Sequence, residues 1–599
     1  MKKGDSNMPE TQIRLLEVDL TTGQNRVLDV TGDARRYLGG NGLANRFIWE
    51  LVPQGTDPLG PDNVLHIGVG PITGLVGCKV SCSFISPLTG WAGEASVSGY
   101  IGDELMRARY NAGILIRGKA KKPVYLFVHN DQVEIRDASD LWGQYLVKTE
   151  NTLRERLYRE TGREFGILCI GPAGENLVRY ANAVTENVHS ASKGGVGAVF
   201  GSKNLKAVAV KGTKTLPYAD HNKVWELKKK YAMHPITALY KNQEWGRYGA
   251  SDGMRALLNY GGDPIKNAHS SWDPIADKSD HILHELSYRV WTDGCPGCAT
   301  PCFMPFFKNT PYGAFSGELR HGNTSGLCGN AMMGYDEVEE INTLIEELGL
   351  DAEDVQGHIA WAMDLYDHGI ITKEELGGID LKWGDRDAAM ELVKKIAYKE
   401  GHVPAALAEG YRHAISLFGP ESAWYAWHSP ANTSIPRYDV RNKVHGMGLQ
   451  YGTSHGGGMS LYDSATICLF SSFPFYAIWG PPHEVARTFL NAACGWDLTP
   501  DEINDIIRRN DYFSRCISLR AGFHPEKDAR LPQRAFDEPV TDKYGNTWVW
   551  AKEEWEAEKK AYYINVMKLS ERGLPLRGEL QRLGLEFVIP VLEPMDAID

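Results

Sequence analysis

Three short runs decide how the first third of the chain folds: Leu15-Leu16-Glu17-Val18-Asp19-Leu20, Val64-Leu65-His66-Ile67-Gly68-Val69 and Val124-Tyr125-Leu126-Phe127-Val128. Each alternates or stays apolar over a length too short for a helix, as strands do. Glycines punctuate the intervals, at Gly39-Gly40, Gly70, Gly74, Gly77, Gly99 and Gly102, where the chain is expected to turn. Ile13 to Val210 therefore reads as antiparallel or mixed sheet. The stretch Gly194-Gly195-Val196-Gly197-Ala198-Val199-Phe200-Gly201-Ser202-Lys203 near its end fits neither G-x-G-x-x-G nor G-x4-G-K-[ST], so a nucleotide-binding reading is rejected.

Past residue 218 the period changes. Val338, Ile341, Ile345 and Leu348 share one helical face, with Gly349 placed to end the helix. Val355, Ile359, Met363 and Tyr366 repeat the pattern before Gly369, as do Met390, Val393 and Ala397 before Gly401. A Gly- and Pro-rich stretch, 405–435, marks a further break. The chain is thus α+β, with expected domains 1–212, 213–415 and 416–599, the last two mainly helical.

At 599 residues the chain exceeds one hydrophobic core. A net charge of −12 without any basic run argues against nucleic acid and anionic membranes as partners. Met1 to Arg14 is polar, unlike a signal peptide, and no apolar window reaches the ~20 residues of a membrane span, so a cytoplasmic address is expected. Ten scattered cysteines make a poor disulfide framework. Three of them, Cys295, Cys298 and Cys302, form C-x2-C-x3-C in a Pro-Gly turn. Thiolates so spaced suit zinc or an iron–sulfur cluster, and both usually take four ligands. Cys328, Cys468 and Cys494 are candidates for the fourth, and periodicity does not choose among them.

Longer phrases carry a resemblance. Val18-Asp19-Leu20-Thr21, Tyr37-Leu38-Gly39-Gly40-Asn41-Gly42-Leu43-Ala44, Gly70-Pro71-Ile72-Thr73-Gly74, Ser86-Pro87-Leu88-Thr89-Gly90, Gly171-Pro172-Ala173-Gly174-Glu175-Asn176 and Gly197 to Ala207 follow in order. On these the chain resembles the aldehyde:ferredoxin oxidoreductase family of tungsten-pterin enzymes. The resemblance implies an N-terminal two-sheet base for a bis-pterin cofactor, covered by two helical domains. It implies tungsten (or molybdenum) on the pterin sulfurs, magnesium bridging the pterin phosphates, and a [4Fe-4S] cluster. The family's D-x-x-G-L-C motif falls at Asp463-Ser464-Ala465-Thr466-Ile467-Cys468, making Cys468 the fourth ligand, with Thr-Ile in place of Gly-Leu. Its D-x-x-G-L-D motif appears as Glu346-Glu347-Leu348-Gly349-Leu350-Asp351, so Glu346, Asp351 and Asp463 are expected to meet the pterins. Lys79 and Lys193 stand near positions where the family carries phosphate-binding arginines. Cys494 replaces a threonine and reads as a buried thiol.

The departures matter as much. The family's catalytic glutamate and histidine, which polarise the carbonyl and move a proton, are replaced by His321 and Ser460. His321, His455 and Ser460 are the catalytic candidates; His445, Asp439 and Arg441 are nearby groups that could move protons. Glu340 is followed by Thr343, so the family's interface iron motif E-x-x-H is missing, while homodimerisation stays open. Expected partners are an aldehyde or acyl-CoA substrate and a ferredoxin or iron–sulfur subunit. Aldehyde oxidation is the family's default activity. Reduction of an aromatic or unsaturated acyl-CoA, or a non-catalytic electron-transfer role, are the alternatives, and Phe470 to Trp479 could line an apolar pocket or lie in the core.

Overall fold

A computed structural model of the chain describes residues 10–187, 189–242, 264–271, 294–298, 300–303, 305–310, 313–318, 326–436, 439–443, 446–455 and 459–599. Strands β1 (Arg14–Asp19), β2 (Asn25–Asp29), β3 (Leu65–Gly68), β4 (Val80–Ile85), β5 (Ala92–Val97) and β6 (Gly113–Arg117) form one sheet in the order β2-β1-β6-β3-β4-β5. Strands β7 (Val124–His129), β8 (Gln132–Asp137), β9 (Gly166–Cys169), β10 (Ala183–Thr185), β11 (His189–Ala191) and β12 (Leu205–Lys211) form a second. Its order, β8-β7-β12-β9-β10-β11, is the first with six added to every number. The pairing directions repeat as well: in each sheet the first and last strands pair in parallel, β1 with β6 and β7 with β12, and every other pair is antiparallel. One unit is therefore used twice.

The two sheets pack face to face. Leu16, Ile67 and Ile114 of the first meet Leu126, Leu168 and Val208 of the second in one core. Because side chains alternate across a strand, the neighbours Leu15 and Leu115 point the other way, against Tyr512, Phe513 and Ile517 of helix Pro500–Arg520. That helix starts on a capping box in which Thr499 and Glu502 satisfy each other's backbone amides. On the outer face of the second sheet, Tyr125 and Phe127 pack on Leu153 and Leu157 of helix Leu146–Thr161. Burial on both faces explains why these strands read as apolar runs.

Of the helical faces read from the sequence, the first is the buried one, whereas helix Ala352–Asp367 is buried on every side from Asp354 to Leu365, with Tyr366 only partly covered. Helix Tyr335–Leu348 buries Val338, Ile341, Ile345 and Leu348, and Gly349 ends it at φ 78°. Helix Arg386–Tyr398 stops earlier than Gly401: Lys399 takes the left-handed turn at φ 53°, and Gly401 opens the next helix. The Lys399 ammonium donates to the Leu177 carbonyl at 2.9 Å, a tertiary anchor that local pattern does not contain. A hairpin, Pro305–Thr310 with Gly313–Glu318, interrupts the helical part. Among the described residues no helix is long and apolar enough to cross a membrane.

Candidate functional site

The two acidic motifs are one local device used twice. In each, a helix ends on a left-handed residue, the next side chain is buried, and the following residue is the N-cap of another helix. Gly349 at φ 78°, Leu350 and Asp351 fill these places once. Thr466 at φ 52°, Ile467 and Cys468 fill them again. Only glycine takes that backbone freely, and a left-handed threonine costs about 1–2 kcal/mol. Thr466 is held there by hydrogen bonds to the Thr73 hydroxyl and, at 2.7 Å, the Ala465 carbonyl.

Helix Ser460–Ala465 lies on the Gly-Gly-Asn-Gly phrase. A Cβ on Gly40 would stand 1.8 Å from the Asp463 carbonyl oxygen, so only glycine fits. The Ser464 hydroxyl donates to Asn41 Oδ1 at 2.7 Å, and Asn41 Nδ2 donates to Glu94 at 2.6 Å. The Asp463 carboxyl accepts from Ser96 and from the Met459 N–H at 2.7 Å, and shares a hydrogen bond with Glu94. Burial raises the Asp463 carboxyl, while its contacts with Ser96 and Glu94 and the charge of Lys79 act the other way. Asp463 and Glu94 line a cavity of ≈ 320 Å³ with Gly93, Ser96, Lys193 and Glu353.

Lys193 stands between this cavity and Asp351, 2.9 Å from Asp351 Oδ2 and 3.1 Å from Glu353 Oε2. Asp351 is turned into its helix, accepting from the Glu353 N–H at 3.0 Å and the Asp354 N–H at 3.4 Å. Burial, with Asp351 beside it, pushes Asp354 up to about 7, against the pull of Lys193. Glu346 lies in the last turn of the preceding helix, and its carbonyl accepts from the Gly349 N–H at 3.0 Å.

His455 and Ser460 line a second cavity, of ≈ 370 Å³, with Arg508, Asp511 and Arg515, and it shares Ser454 and Met459 with the first. Burial and the Arg515 charge hold His455 well below its usual range, hence neutral, with Nδ1 3.1 Å from the Ser518 hydroxyl. Asp511 opens onto the cavity. The enclosing walls raise its carboxyl to about 6, while a hydrogen bond from Ser460 and the charge of Arg508 act the other way. His321 and His445 lie outside the described residues. Asp439 and Arg441 are locked to each other at 2.6 Å, both fully buried, which makes them a structural pair. Glu340 is taken by Arg386, whose Nε lies 2.6 Å away.

Cys468 opens helix Leu469–Trp479, with its N–H on the Val76 carbonyl at 2.9 Å. One turn on, the Ser471 hydroxyl lies 3.0 Å from Cys298 Sγ. Burial pushes Cys295 up to about 12, and the neighbouring Cys468 and Cys298 thiols add to it. Lys79 acts on both the Cys295 thiol and the Asp463 carboxyl. The turn itself is set by Gly297 at φ 74°, where a Cβ would strike the Gly74 carbonyl at 1.8 Å. Cys302 is half-buried at the end of the loop. Among the described residues no three His, Cys, Asp or Glu side chains converge tightly enough for one ion. Cys494, fully buried, and Cys328 lie in separate apolar cores. So does Phe475, stacked on Tyr231 at 3.7 Å, and Phe470 to Trp479 supplies no lining residue to either cavity.

Sequence reading passed over Glu94, Ser96 and Asp511. A carboxylate among small residues, in Ala92-Gly93-Glu94-Ala95-Ser96, was the available signal for the first two. It also left Lys203 and Lys206 unexplained. Both are fully buried: Lys203 donates to the carbonyls of Asn63 and Gly118, and Lys206 pairs with Glu175, so that phrase is structural.

Two six-stranded sheets of one pairing order thus carry a carboxyl-lined cavity, and Lys79 acts both on it and on the thiol-rich turn. Residues 15–212 match the aldehyde ferredoxin oxidoreductase N-terminal domain, and 224–461 and 458–585 match domains 2 and 3 of the same enzymes. The chain belongs to the aldehyde ferredoxin oxidoreductase family, whose members are oxidoreductases. It is 33% identical to the tungsten-containing aldehyde ferredoxin oxidoreductase of Pyrococcus furiosus, over 94% of this chain and 96% of the relative. It is 32% identical to the WOR-like subunit of aliphatic sulfonate oxidoreductase from the same organism, over 96% of each. Among solved structures, the active site complex BamBC of benzoyl coenzyme A reductase with 1,5-dienoyl-CoA aligns with a TM-score of 0.76 at 22% identity, covering 97% of this chain and 98% of the other. That likeness establishes the shared fold.

Proposed function

We propose that this chain is a tungsten (or molybdenum) bis-pterin oxidoreductase whose electrons leave through a [4Fe-4S] cluster. The observation that carries the reading is the segment Asp463 to Cys468. Its left-handed turn at Thr466 sends Asp463 to the carboxyl-lined cavity and Cys468 to the Cys295–Cys298 turn, with Lys79 acting on both sides. When bound, such a centre supplies two-electron exchange with a substrate carbon, and the cluster supplies one-electron transfer. The donor set fits: Cys295, Cys298, Cys302 and Cys468 for the cluster, and Asp463 with Glu94 as acceptors for pterin N–H groups. Lys79 and Lys193 supply point charges for the pterin phosphates and their magnesium, with looser geometry than arginine. Asp511 and Ser460 are placed to move a proton in the second cavity, and neutral His455 to orient a polar substrate atom.

The exit side supports an acidic iron–sulfur partner. Helix His221–Ala232 carries Lys223, Lys228, Lys229 and Lys230 against one Glu226, on a chain of net charge −12. Its Lys228 donates to the Gly297 and Leu75 carbonyls, and Trp225 is 65% exposed beside it.

Metal analysis of anaerobically purified protein is the test. Tungsten or molybdenum, with iron and acid-labile sulfide in equal amounts, is expected; active protein holding neither heavy metal ends the proposal. Dye reduction with aldehydes beside acyl-CoA thioesters then separates aldehyde oxidation, the default, from acyl-CoA reduction. A full cofactor set that no substrate bleaches would leave an electron-transfer subunit.

A further inference from the structure

Arg412 and Arg530 line a third cavity, of ≈ 310 Å³, together with His428, Ser429 and Asp528. Among the described residues neither guanidinium is paired with a carboxylate. Arg412 lies 4.6 Å over the Trp91 ring and donates to the Pro430 carbonyl. Asp528 accepts from the His524 N–H at 2.7 Å, and its single charge leaves the two arginines in excess. His428 stacks on Tyr411 at 4.8 Å, with Nδ1 2.8 Å from the Ser429 carbonyl, so that nitrogen carries the proton. Burial pushes His428 down to about 4, and both arginines push the same way, so it stays neutral. Two cations held at one wall repel each other and raise the local concentration of anions.

The position is as informative as the charge. Ser429 belongs to this cavity and to the one beside Asp463. The wall between them is a stiff loop: His428 bridges to Ser434, the Ser429 N–H meets the Thr433 carbonyl at 2.9 Å, and Asn432 takes a left-handed turn at φ 61°. We propose that Arg412 and Arg530 bind a compact oxyanion, carboxylate or phosphate, at one end of the substrate, whose uncharged reactive end passes Ser429 towards Ser454 and Met459, where the cavity beside Asp463 meets the one holding Asp511. Anion binding stands independently of the redox reading; the placement of the reactive end rests on it.

The test has two arms, both on the holoenzyme. Calorimetric titration with inorganic phosphate should show saturable binding, weakened about tenfold in Arg530→Gln, as losing one charged hydrogen-bond donor would do, and restored in Arg530→Lys. No saturable binding, or equal binding in Arg530→Gln, overturns the site. In the second arm, aldehydes of equal length ending in a carboxylate or a carboxamide are compared. Arg530→Gln should raise KM for the carboxylate alone by about tenfold and leave kcat unchanged. Equal effects on both ends would reduce the site to one for free anions and overturn its role in substrate binding. Absence of turnover with any aldehyde, alongside intact phosphate binding, would count against aldehyde oxidation and overturn the placement of the reactive end, while the anion site stands.

Discussion

Thr466 offers a sharp test, because two conservative-looking changes should act in the unexpected order. The residue is fully buried at φ 52°, where the family motif has glycine. Its hydroxyl bonds Thr73, which also accepts from the Gly70 N–H at 2.9 Å. Thr466→Val preserves shape but keeps the left-handed backbone. It removes a hydrogen bond worth about 1 kcal/mol and leaves the Thr73 hydroxyl short of a partner for another 1–2 kcal/mol. Thr466→Gly loses the same bonds but releases about 1–2 kcal/mol of backbone strain, so it should lie within about 1 kcal/mol of wild type. A multi-core chain does not unfold in two states, so a local readout is needed. The Cys468 N–H, bonded to Val76, reports on this turn. Its exchange should quicken about 30- to 150-fold in the valine variant, the equivalent of 2–3 kcal/mol, and change little in the glycine variant. Iron content should fall only with valine. Slow exchange in Thr466→Val together with fast exchange in Thr466→Gly would refute the strain argument.

Cys468→Ser should lower bound iron, whereas Cys494→Ser, in an apolar core, should leave iron unchanged and cost about 1 kcal/mol of stability. Lys193→Met removes the ammonium shared by Asp351 and Glu353; the lysine is 40% exposed, so the cost should be about 1 kcal/mol, seen as faster exchange of the Asp354 N–H, with Lys193→Arg near normal. Asp354 sits at about 7 against 3.8 for a free carboxyl, so its contribution is complete below pH 4 and is lost as pH rises through 7. The melting midpoint of Asp354→Asn should therefore fall less than that of wild type between pH 5 and pH 8. Reversing Lys229 and Lys230 to glutamate should slow electron transfer to an acidic iron–sulfur carrier by about tenfold at low salt, with the difference fading at high salt.

Much of the fold was legible. The strand runs from Leu15, Val64 and Val124 are apolar because both faces are covered, and the helical face from Val338 is periodic because one side is. The duplication of the sheet was not. Its halves share pairing order rather than residues, and backbone pairing leaves little trace in side-chain identity. The site divides the same way: Asp463, Asp351 and the cysteines stand in recognisable phrases, whereas Glu94, Asp511 and Arg530 acquire meaning only from neighbours hundreds of residues away or across a cavity wall.

By itself, then, the sequence determined element types, the left-handed positions marked by glycine, and the thiol and carboxyl chemistry the chain can offer. These follow from local sterics and from side-chain inventory. Only the tertiary structure decided that Asp463 is buried beside Glu94, that Asp351 turns into its own helix behind Lys193, and that two arginines without a carboxylate partner among the described residues stand at one wall. Protonation, pairing and access depend on burial and on distances between distant segments, and neither is a property of any local stretch of chain.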